Sequence, residues 1–331
     1  MLKKIALPLA AIALVSLIAA APSAPKYRES FLPPNNLQHR IGAKDIGGIT
    51  EAQYNQVMDR IEAIYTPIVA ARGGHLVLKR LWSDDTVNSS AEQQGSDWII
   101  NAYGGLARDK AITQDGEALV VCHEMGHHLG GAPLYADMNW AADEGEADYF
   151  ANSKCLHRMF SDTATANFTQ PKAVSDDLAL AKAACAKSYK DAHEQAICVR
   201  SAVAGQSVTA LFTELSGDAP SHFDTPDTSV VAATNDEHPA SQCRLDTYYQ
   251  GSLCNKAWTI DMSMTDPAVG GCAASQGYTS GMRPACWYKP AAGELIGQDG
   301  ASVAASMEKS SHASSSPTLA SLKSSDVFSG L

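Results

Sequence analysis

The chain has 331 residues, of which 45% are hydrophobic and 18% are charged, a composition typical of a globular protein. This length is sufficient to bury a sizeable core in one or two domains. The formal net charge is −11, and no basic stripe is apparent along the sequence. Composition and charge therefore argue against nucleic acid as the main partner.

The first 21 residues predict a secretory signal peptide. Lys3 and Lys4 precede an apolar run from Ile5 to Ala21 that ends in small residues. An uncleaved membrane anchor is the alternative, although the run is short for a span of about 20 residues. No later segment is expected to cross a bilayer, so we predict no stable membrane span after signal cleavage.

Eight cysteines follow this segment. An even number of cysteines behind an export signal predicts disulfide bonds in an oxidising compartment, so we predict a periplasmic or secreted protein. No CxxC pair is present, and a cysteine-based zinc ribbon is therefore not expected. Cys122 stands beside a candidate catalytic histidine, and both a buried thiol and a structural disulfide remain open for it.

Residues 22–48 are rich in Pro, Asn and Gly and are predicted to form an extended leader. A helix is expected to follow, because Thr50 and Gln53 match a capping box. Its apolar residues recur every three or four positions, and Gly73 and Gly74 are expected to end it.

Two strands are predicted after this helix, His75–Trp82 and Asp97–Gly105. Residues 87–90 are predicted to form a turn before the second strand. If the second strand lies at an edge of its sheet, its unpaired backbone groups can accept an extended polypeptide.

Two helices are predicted to carry the most informative residues of the chain. The first is expected to use Asp115 as its N-cap and to end at Gly130, and the second is expected to begin near Asn139. Residues 176–215 are also predicted to be mostly helical.

The C-terminal part has a different composition. Residues 220–290 contain four cysteines and many Gly and Ser residues, which predicts an irregular, disulfide-braced region. Residues 295–331 are rich in Ser and Ala and are predicted to be disordered.

His123, Glu124 and His127 match the motif HExxH. Residues four apart on a helix share a face, so the two imidazoles can bind one metal ion. Glu124 then lies close enough to a metal-bound water to act as general base. His128 points about 100° around the helix, and we expect it to be a supporting or surface group.

Glu144 and Asp148 are four residues apart on the next predicted helix. A catalytic zinc is typically held by three protein ligands, so we predict one Zn²⁺ bound by His123, His127 and Glu144. Asp148 is expected to accept a hydrogen bond from the second ring nitrogen of His123. Glu146 is the alternative ligand if the register of the helix is misread.

These motifs resemble those of the gluzincin metalloproteases of peptidase family M forty-eight, which includes the CAAX prenyl protease and the heat-shock protease HtpX. HExxH is followed by "EGEADYFA", which is similar to the family's ExEADxxA helix. "VNSSA" (87–91) is similar to its Val-Asn-Ala-x-Ala segment, and "EHPASQCRL" (237–245) is similar to its later His-Pro…Arg motif.

The resemblance implies an α+β fold, in which a mainly helical zincin-type domain with a small edge sheet spans residues 49–245. It implies a polypeptide substrate bound along the predicted edge strand. It also places His238 near the metal, as an oxyanion donor or as an inhibitory ligand, with a simple turn-capping role still open. Arg244 is expected to orient this segment through a salt bridge.

The chain also departs from the family. The spacing between His127 and Glu144 is short, and the transmembrane helices of the membrane-bound members are missing. The cysteine-containing extension, residues 246–294, has no counterpart in the resemblance. These departures favour a soluble, exported member.

The sequence as a whole predicts a zinc-dependent endopeptidase with Glu124 as general base. The candidates to stabilise the oxyanion are His238 and four tyrosines, Tyr103, Tyr149, Tyr248 and Tyr249. The main alternative is a non-catalytic or self-inhibited, zinc-stabilised chaperone or adaptor of the cell envelope.

Overall fold

The computed structural model describes residues 26–27, 30–43, 47–162 and 175–290. The predicted signal peptide and the predicted Ser- and Ala-rich tail lie outside these residues. The described residues form an α+β fold that is mainly helical with a small sheet, as predicted. The helices are α1 (Glu51–Ala70), α2 (Gly104–Ala107), α3 (Gln114–Leu129), α4 (Glu144–Phe150), α5 (Leu156–Phe160), α6 (Ser175–Ser188), α7 (Ala192–Ser216) and α8 (Ser241–Leu253).

The sheet contains four strands in the order β1-β3-β4-β2. They are β1 (Lys26–Tyr27), β2 (His75–Leu81), β3 (Ser89–Gln94) and β4 (Asp97–Tyr103). β4 pairs in parallel with β2 and antiparallel with β3, whereas β1 pairs antiparallel with β3.

Two predictions about this sheet are wrong. Ser89 and Ser90 begin β3, so residues 87–90 do not form a simple turn. The strand between Trp98 and Gly105 is not an edge strand, because β4 is hydrogen-bonded to β2 on one side and to β3 on the other. Its backbone groups are already used, and an extended polypeptide cannot add to it.

The helix starts follow the capping chemistry closely. The capping box of Thr50 and Gln53 is present at the start of α1. The prediction for α3 is wrong by two residues: the Thr113 side chain accepts a hydrogen bond from the backbone of Gly116, and Asp115 instead pairs with Arg200 at 2.7 Å. Both residues are good N-caps, and the ion pair removes Asp115 from that role.

The second motif helix also begins later than predicted. α4 starts at Glu144 rather than near Asn139, because the Asp143 side chain accepts a hydrogen bond from the backbone of Glu146 and caps it. A π-helical segment, Ala151–Cys155, joins α4 to α5. The predicted irregular region, residues 220–290, contains one regular helix that the sequence did not reveal, α8.

α3 lies at the centre of the molecule. Nearly all of its residues are buried, and it contacts α1, α4, α7 and β3. Gly126 allows α4 to approach closely, since a Cβ at that position would lie 2.8 Å from the Ala147 Cα. The two motif helices therefore pack backbone against backbone.

All eight cysteines form disulfides. Cys122 bonds to Cys155 and ties α3 to the π-helical segment, which settles the question left open for this residue. The other pairs are Cys185–Cys198, Cys243–Cys286 and Cys254–Cys272. Four disulfides indicate an oxidising, non-cytoplasmic compartment.

Among the described helices, α7 alone is long and apolar enough to cross a membrane, which the sequence analysis did not anticipate. However, 78% of its apolar window is buried inside the fold. It packs against α3, α6 and α8, as a core helix does.

Candidate metal centre

The structure brings the three predicted ligands together in the buried contact between α3 and α4. The Nε2 atoms of His123 and His127 are 3.1 Å apart. Glu144 Oε2 lies 3.3 Å from the first and Glu144 Oε1 lies 3.8 Å from the second. Two donors bound tetrahedrally to one zinc ion at its usual bond lengths lie about 3.3 Å apart. The three side chains therefore form a group compatible with one metal ion.

The other ring nitrogen of each histidine is held by an acceptor. His123 Nδ1 lies 2.7 Å from Asp148 Oδ1, and His127 Nδ1 donates to the Ala142 carbonyl at 2.8 Å. A backbone carbonyl can only accept, so His127 carries its proton on Nδ1 when neutral. Both acceptors thus orient the rings so that the Nε2 atoms face Glu144.

Asp148 connects this group to α8. Arg244 donates to it from Nε at 2.7 Å and from a terminal nitrogen at 2.8 Å. Burial alone would raise the pKa of Asp148, but Arg244 and His123 together hold it below its usual value. Asp148 is therefore an ionised acceptor, and the salt bridge expected of Arg244 is present.

The pKa values of the three candidate ligands are strongly shifted. Burial opposes the charge on Glu144, but His238, His123 and His127 hold its pKa well below its usual value. Burial also opposes protonation of His123, yet the Asp148 and Glu144 carboxylates outweigh it and raise its pKa to about 9. Burial lowers the pKa of His127 to about 4. The two acids thus favour a positive charge at this place, and a metal cation can supply it in exchange for a proton.

Glu124 follows His123 on α3 and is completely buried. Neither carboxylate oxygen makes a hydrogen bond of normal geometry to the described residues. Burial raises its pKa to about 8. A buried carboxylate that lacks hydrogen bonds of normal geometry costs free energy of folding, and this cost is compatible with a functional role for Glu124.

Tyr135 also lies at this group, although no sequence motif indicated it. Its hydroxyl donates to Glu144 Oε1 at 2.7 Å, and its ring stacks on His127 with centroids 6.2 Å apart. It lies in the loop between α3 and α4, where no periodic pattern marks it. Its position between the two ligand helices is the only signal that could have found it.

His238 lies close to the ligands, as the resemblance implied. Its Nε2 is 3.5 Å from Glu144 Oε2 and donates to the Ser30 carbonyl at 2.8 Å. Its side chain is mostly buried. The structure therefore places it at the metal group with a backbone carbonyl as its partner.

Other predicted candidates are engaged elsewhere. Glu146 is not a ligand, because it pairs with Arg283. His128 is buried rather than at the surface, and its ring stacks between Trp98 and Trp140. Of the four candidate tyrosines, Tyr149 has its hydroxyl engaged, since it donates to the Gly281 carbonyl and accepts from the backbone of Cys272, and the Tyr249 ring stacks on Phe223.

A second group of potential ligands consists of Asp227, Cys243 and Cys286. The two cysteines are joined in a disulfide, so neither offers a thiolate to a metal ion. This group is therefore structural.

Comparison of the chain with models of protein families, with curated proteins and with solved structures finds no match. The resemblance to the gluzincins consequently depends on the motifs themselves.

Proposed function

We propose that the protein is a zinc-dependent endopeptidase that hydrolyses peptide bonds of exported or envelope proteins, in the periplasm or outside the cell. The observation that carries this proposal is the buried carboxylate of Glu124, which makes no hydrogen bond of normal geometry to the described residues, next to three converging donor atoms. A group that only stored a structural metal would not need that carboxylate.

Zinc is the metal that we propose. Two imidazoles and one carboxylate are a donor set of catalytic zinc enzymes, and three protein ligands leave one position open. When bound, zinc polarises a carbonyl and lowers the pKa of its water to about 7. His123, His127 and Glu144 would hold it, with Asp148, the Ala142 carbonyl and Tyr135 orienting them.

The roles of the other residues follow from their positions. Glu124 accepts a proton from the attacking water and returns it to the leaving amine, and a pKa raised by burial suits a group that must hold a proton briefly. His238 already donates to a backbone carbonyl, so it can donate to the carbonyl oxygen as negative charge develops there. Water is the only co-reactant that hydrolysis of the peptide bond requires.

The second candidate function is a self-inhibited or non-catalytic, zinc-stabilised chaperone or adaptor of the cell envelope. One observation favours it: a segment of the N-terminal leader lies over the ligands, since Ser30 contacts His238 and the Phe31 ring packs on His123. A chain in which this segment never leaves would bind zinc without hydrolysing peptides.

The test is zinc content together with cleavage of casein, an unfolded protein. The chains compared are the wild type, Glu124→Gln and the control Glu117→Gln, which changes another buried glutamate of α3. We expect one zinc ion in all three and a loss of cleavage of about 10²- to 10⁴-fold in Glu124→Gln alone.

Absence of zinc from the wild type would overturn the proposal. One zinc ion without cleavage, both in the wild type and in the leader variants described below, would favour the adaptor. Equal cleavage by Glu124→Gln and the wild type would remove Glu124 from the mechanism.

A further inference from the structure

Two described parts of the leader, Lys26–Tyr27 and residues 30–32, follow the outer edge of β3, on the side away from β4. β1 pairs antiparallel with β3, with Tyr27 opposite Glu92. Further along, the backbone N–H of Phe31 donates to the Ser89 carbonyl at 3.0 Å. This segment therefore lies on the sheet as an extended peptide adds to an edge strand.

The Asn88 side chain binds the backbone of the same segment. Its side-chain oxygen accepts from the Leu32 N–H at 2.9 Å, and its amide nitrogen donates to the Leu32 carbonyl at 3.2 Å. The amide nitrogen also donates to the Ser30 hydroxyl at 2.8 Å. Contacts to the backbone of Leu32 do not depend on its side chain, so they suit a site that takes many polypeptides.

Two successive carbonyl groups of the leader meet donors of the metal centre. His238 donates to the Ser30 carbonyl, and the same nitrogen is 3.5 Å from Glu144. Arg244, which pairs with Asp148, donates to the Phe31 carbonyl at 2.9 Å. The peptide bond between Ser30 and Phe31 thus lies where the ligand group and its supporting residues meet.

The Phe31 side chain fills a closed pocket beside the ligands. It is completely buried. Its ring meets the His123 ring edge to face, with centroids 4.9 Å apart, and the Phe212 ring at 5.4 Å. The Arg244 guanidinium lies 4.8 Å from its centroid. A pocket with aromatic walls and one cation over the ring suits a large aromatic side chain.

We propose that Ser30 and Phe31 occupy this site in the register of a substrate, on either side of the position of the cleaved bond. The site then takes an extended polypeptide along the outer edge of β3, with a large aromatic residue directly after that bond. This inference rests on the proposed function. It places the bound peptide along β3, whereas the sequence had predicted binding along β4. Until its own Ser30–Phe31 bond is cut, the leader occupies this site and competes with substrates.

The reaction in this register is simple hydrolysis. The water oxygen bonds to the carbonyl carbon of the residue in the Ser30 position, and the C–N bond to the residue in the Phe31 position breaks. Glu124 carries the proton from the water to the departing amine. The products are one carboxylate and one amine, and no electrons are transferred.

The first experiment uses a fluorescent peptide that copies residues 26–36 and the full chain carrying Phe31→Ala and Glu124→Gln. We expect this inactive chain to bind the peptide, and the chain carrying Glu124→Gln alone to bind it about tenfold or more weakly, because its own leader is tethered at high effective concentration. A peptide in which alanine replaces the phenylalanine should not compete.

The second measurement is the site of cleavage. The full chain carrying Phe31→Ala alone is loaded with zinc and mixed with the same peptide, and the products are identified by mass. We expect one cut, between the serine and the phenylalanine, and faster initial cleavage of casein than the wild type gives before its own leader is cut. A cut at another bond would overturn the register.

Two further chains serve as controls. Val69→Ala truncates a fully buried residue at the end of α1, and it should gain neither peptide binding nor cleavage if Phe31 acts through the site. Phe31→Leu keeps an apolar side chain and should give intermediate peptide binding, so it replaces Phe31→Ala if that chain does not fold.

The two proposals fail in different ways. Peptide binding to the inactive chain without any cleavage by the active one keeps the peptide site and overturns hydrolysis. Cleavage of casein by a chain that does not bind the leader peptide keeps the proposed function and overturns this inference.

Discussion

Helix α4 makes two buried ion pairs with the same chemistry and different surroundings. On one face Asp148 pairs with Arg244, and on another Glu146 pairs with Arg283. All four side chains are almost completely buried. Of the two acids, only Asp148 also contacts an imidazole of the proposed metal centre, that of His123. Burial and ion pairing alone therefore do not distinguish the two carboxylates, whereas contact with His123 does.

The largest expected effect on stability comes from breaking either the Asp148–Arg244 pair or the Glu146–Arg283 pair. Asp148→Asn and Glu146→Gln should each lower the free energy of unfolding by about 3–5 kcal/mol, because each leaves a buried guanidinium without its partner. Asp148→Asn should also weaken zinc binding about 10- to 100-fold, since His123 loses its acceptor. Urea unfolding and competition with a zinc-binding dye measure the two quantities.

Equal weakening of zinc binding by Asp148→Asn and Glu146→Gln would contradict the proposed difference between the two ion pairs. Glu146 would then support the metal centre as much as Asp148 does, and the two faces of α4 would not be distinct. Unchanged stability in both variants would show that neither guanidinium depends on its carboxylate.

Glu117 is a third buried acid, and it differs from Asp148 and Glu146 because no cation offsets the effect of burial on its pKa. Burial raises the pKa of Glu117 from 4.5 to about 8. Above pH 4.5 the unfolded chain ionises this group while the folded chain keeps it protonated, so stability falls as the pH rises towards 8. The slope is about 1.4 kcal/mol per pH unit, and Glu117→Gln should remove it.

Urea unfolding of both chains between pH 5 and pH 8, as convenient limits of the window set by that pKa, measures this slope. The Glu117→Gln chain should gain stability relative to the wild type at the alkaline end, by up to a few kcal/mol. Parallel curves for the two chains would contradict a raised pKa at Glu117.

The smallest effect concerns two glycines at the contacts of α4. Gly126 lies on α3 and faces Ala147 of α4, and Gly145 lies on α4 and faces Trp287. A Cβ at Gly126 would lie 2.8 Å from the Ala147 backbone, and a Cβ at Gly145 would lie 2.2 Å from the Trp287 ring. Each change to alanine should cost about 1–3 kcal/mol. Gly126→Ala alone should weaken zinc binding, because it moves α4 and Glu144 away from α3.

The same zinc titration and urea unfolding test this pair. Weaker zinc binding in Gly145→Ala would mean that Trp287 holds Glu144 in place. Normal zinc binding in Gly126→Ala would mean that α3 and α4 adjust to each other without separating the ligands.

The sequence alone determined the centre of the site, because helical periodicity is a local property. His123 and His127 are four residues apart, as are Glu144 and Asp148, and each pair shares the face of one helix. The capping box of Thr50 and the α+β character also follow from local patterns. The even number of cysteines predicted disulfides, although not their pairing.

The tertiary structure decided what surrounds that centre, because contacts between distant residues leave no periodic trace. Asp148 and Glu146 are both acids on one helix, and only folding gives Arg244 to one and Arg283 to the other. The order of the strands, which makes β4 central, is set by pairing across the sheet. Likewise, Phe31 reaches His123 only because the leader crosses the outer edge of β3, where backbone hydrogen bonds and a closed aromatic pocket hold it.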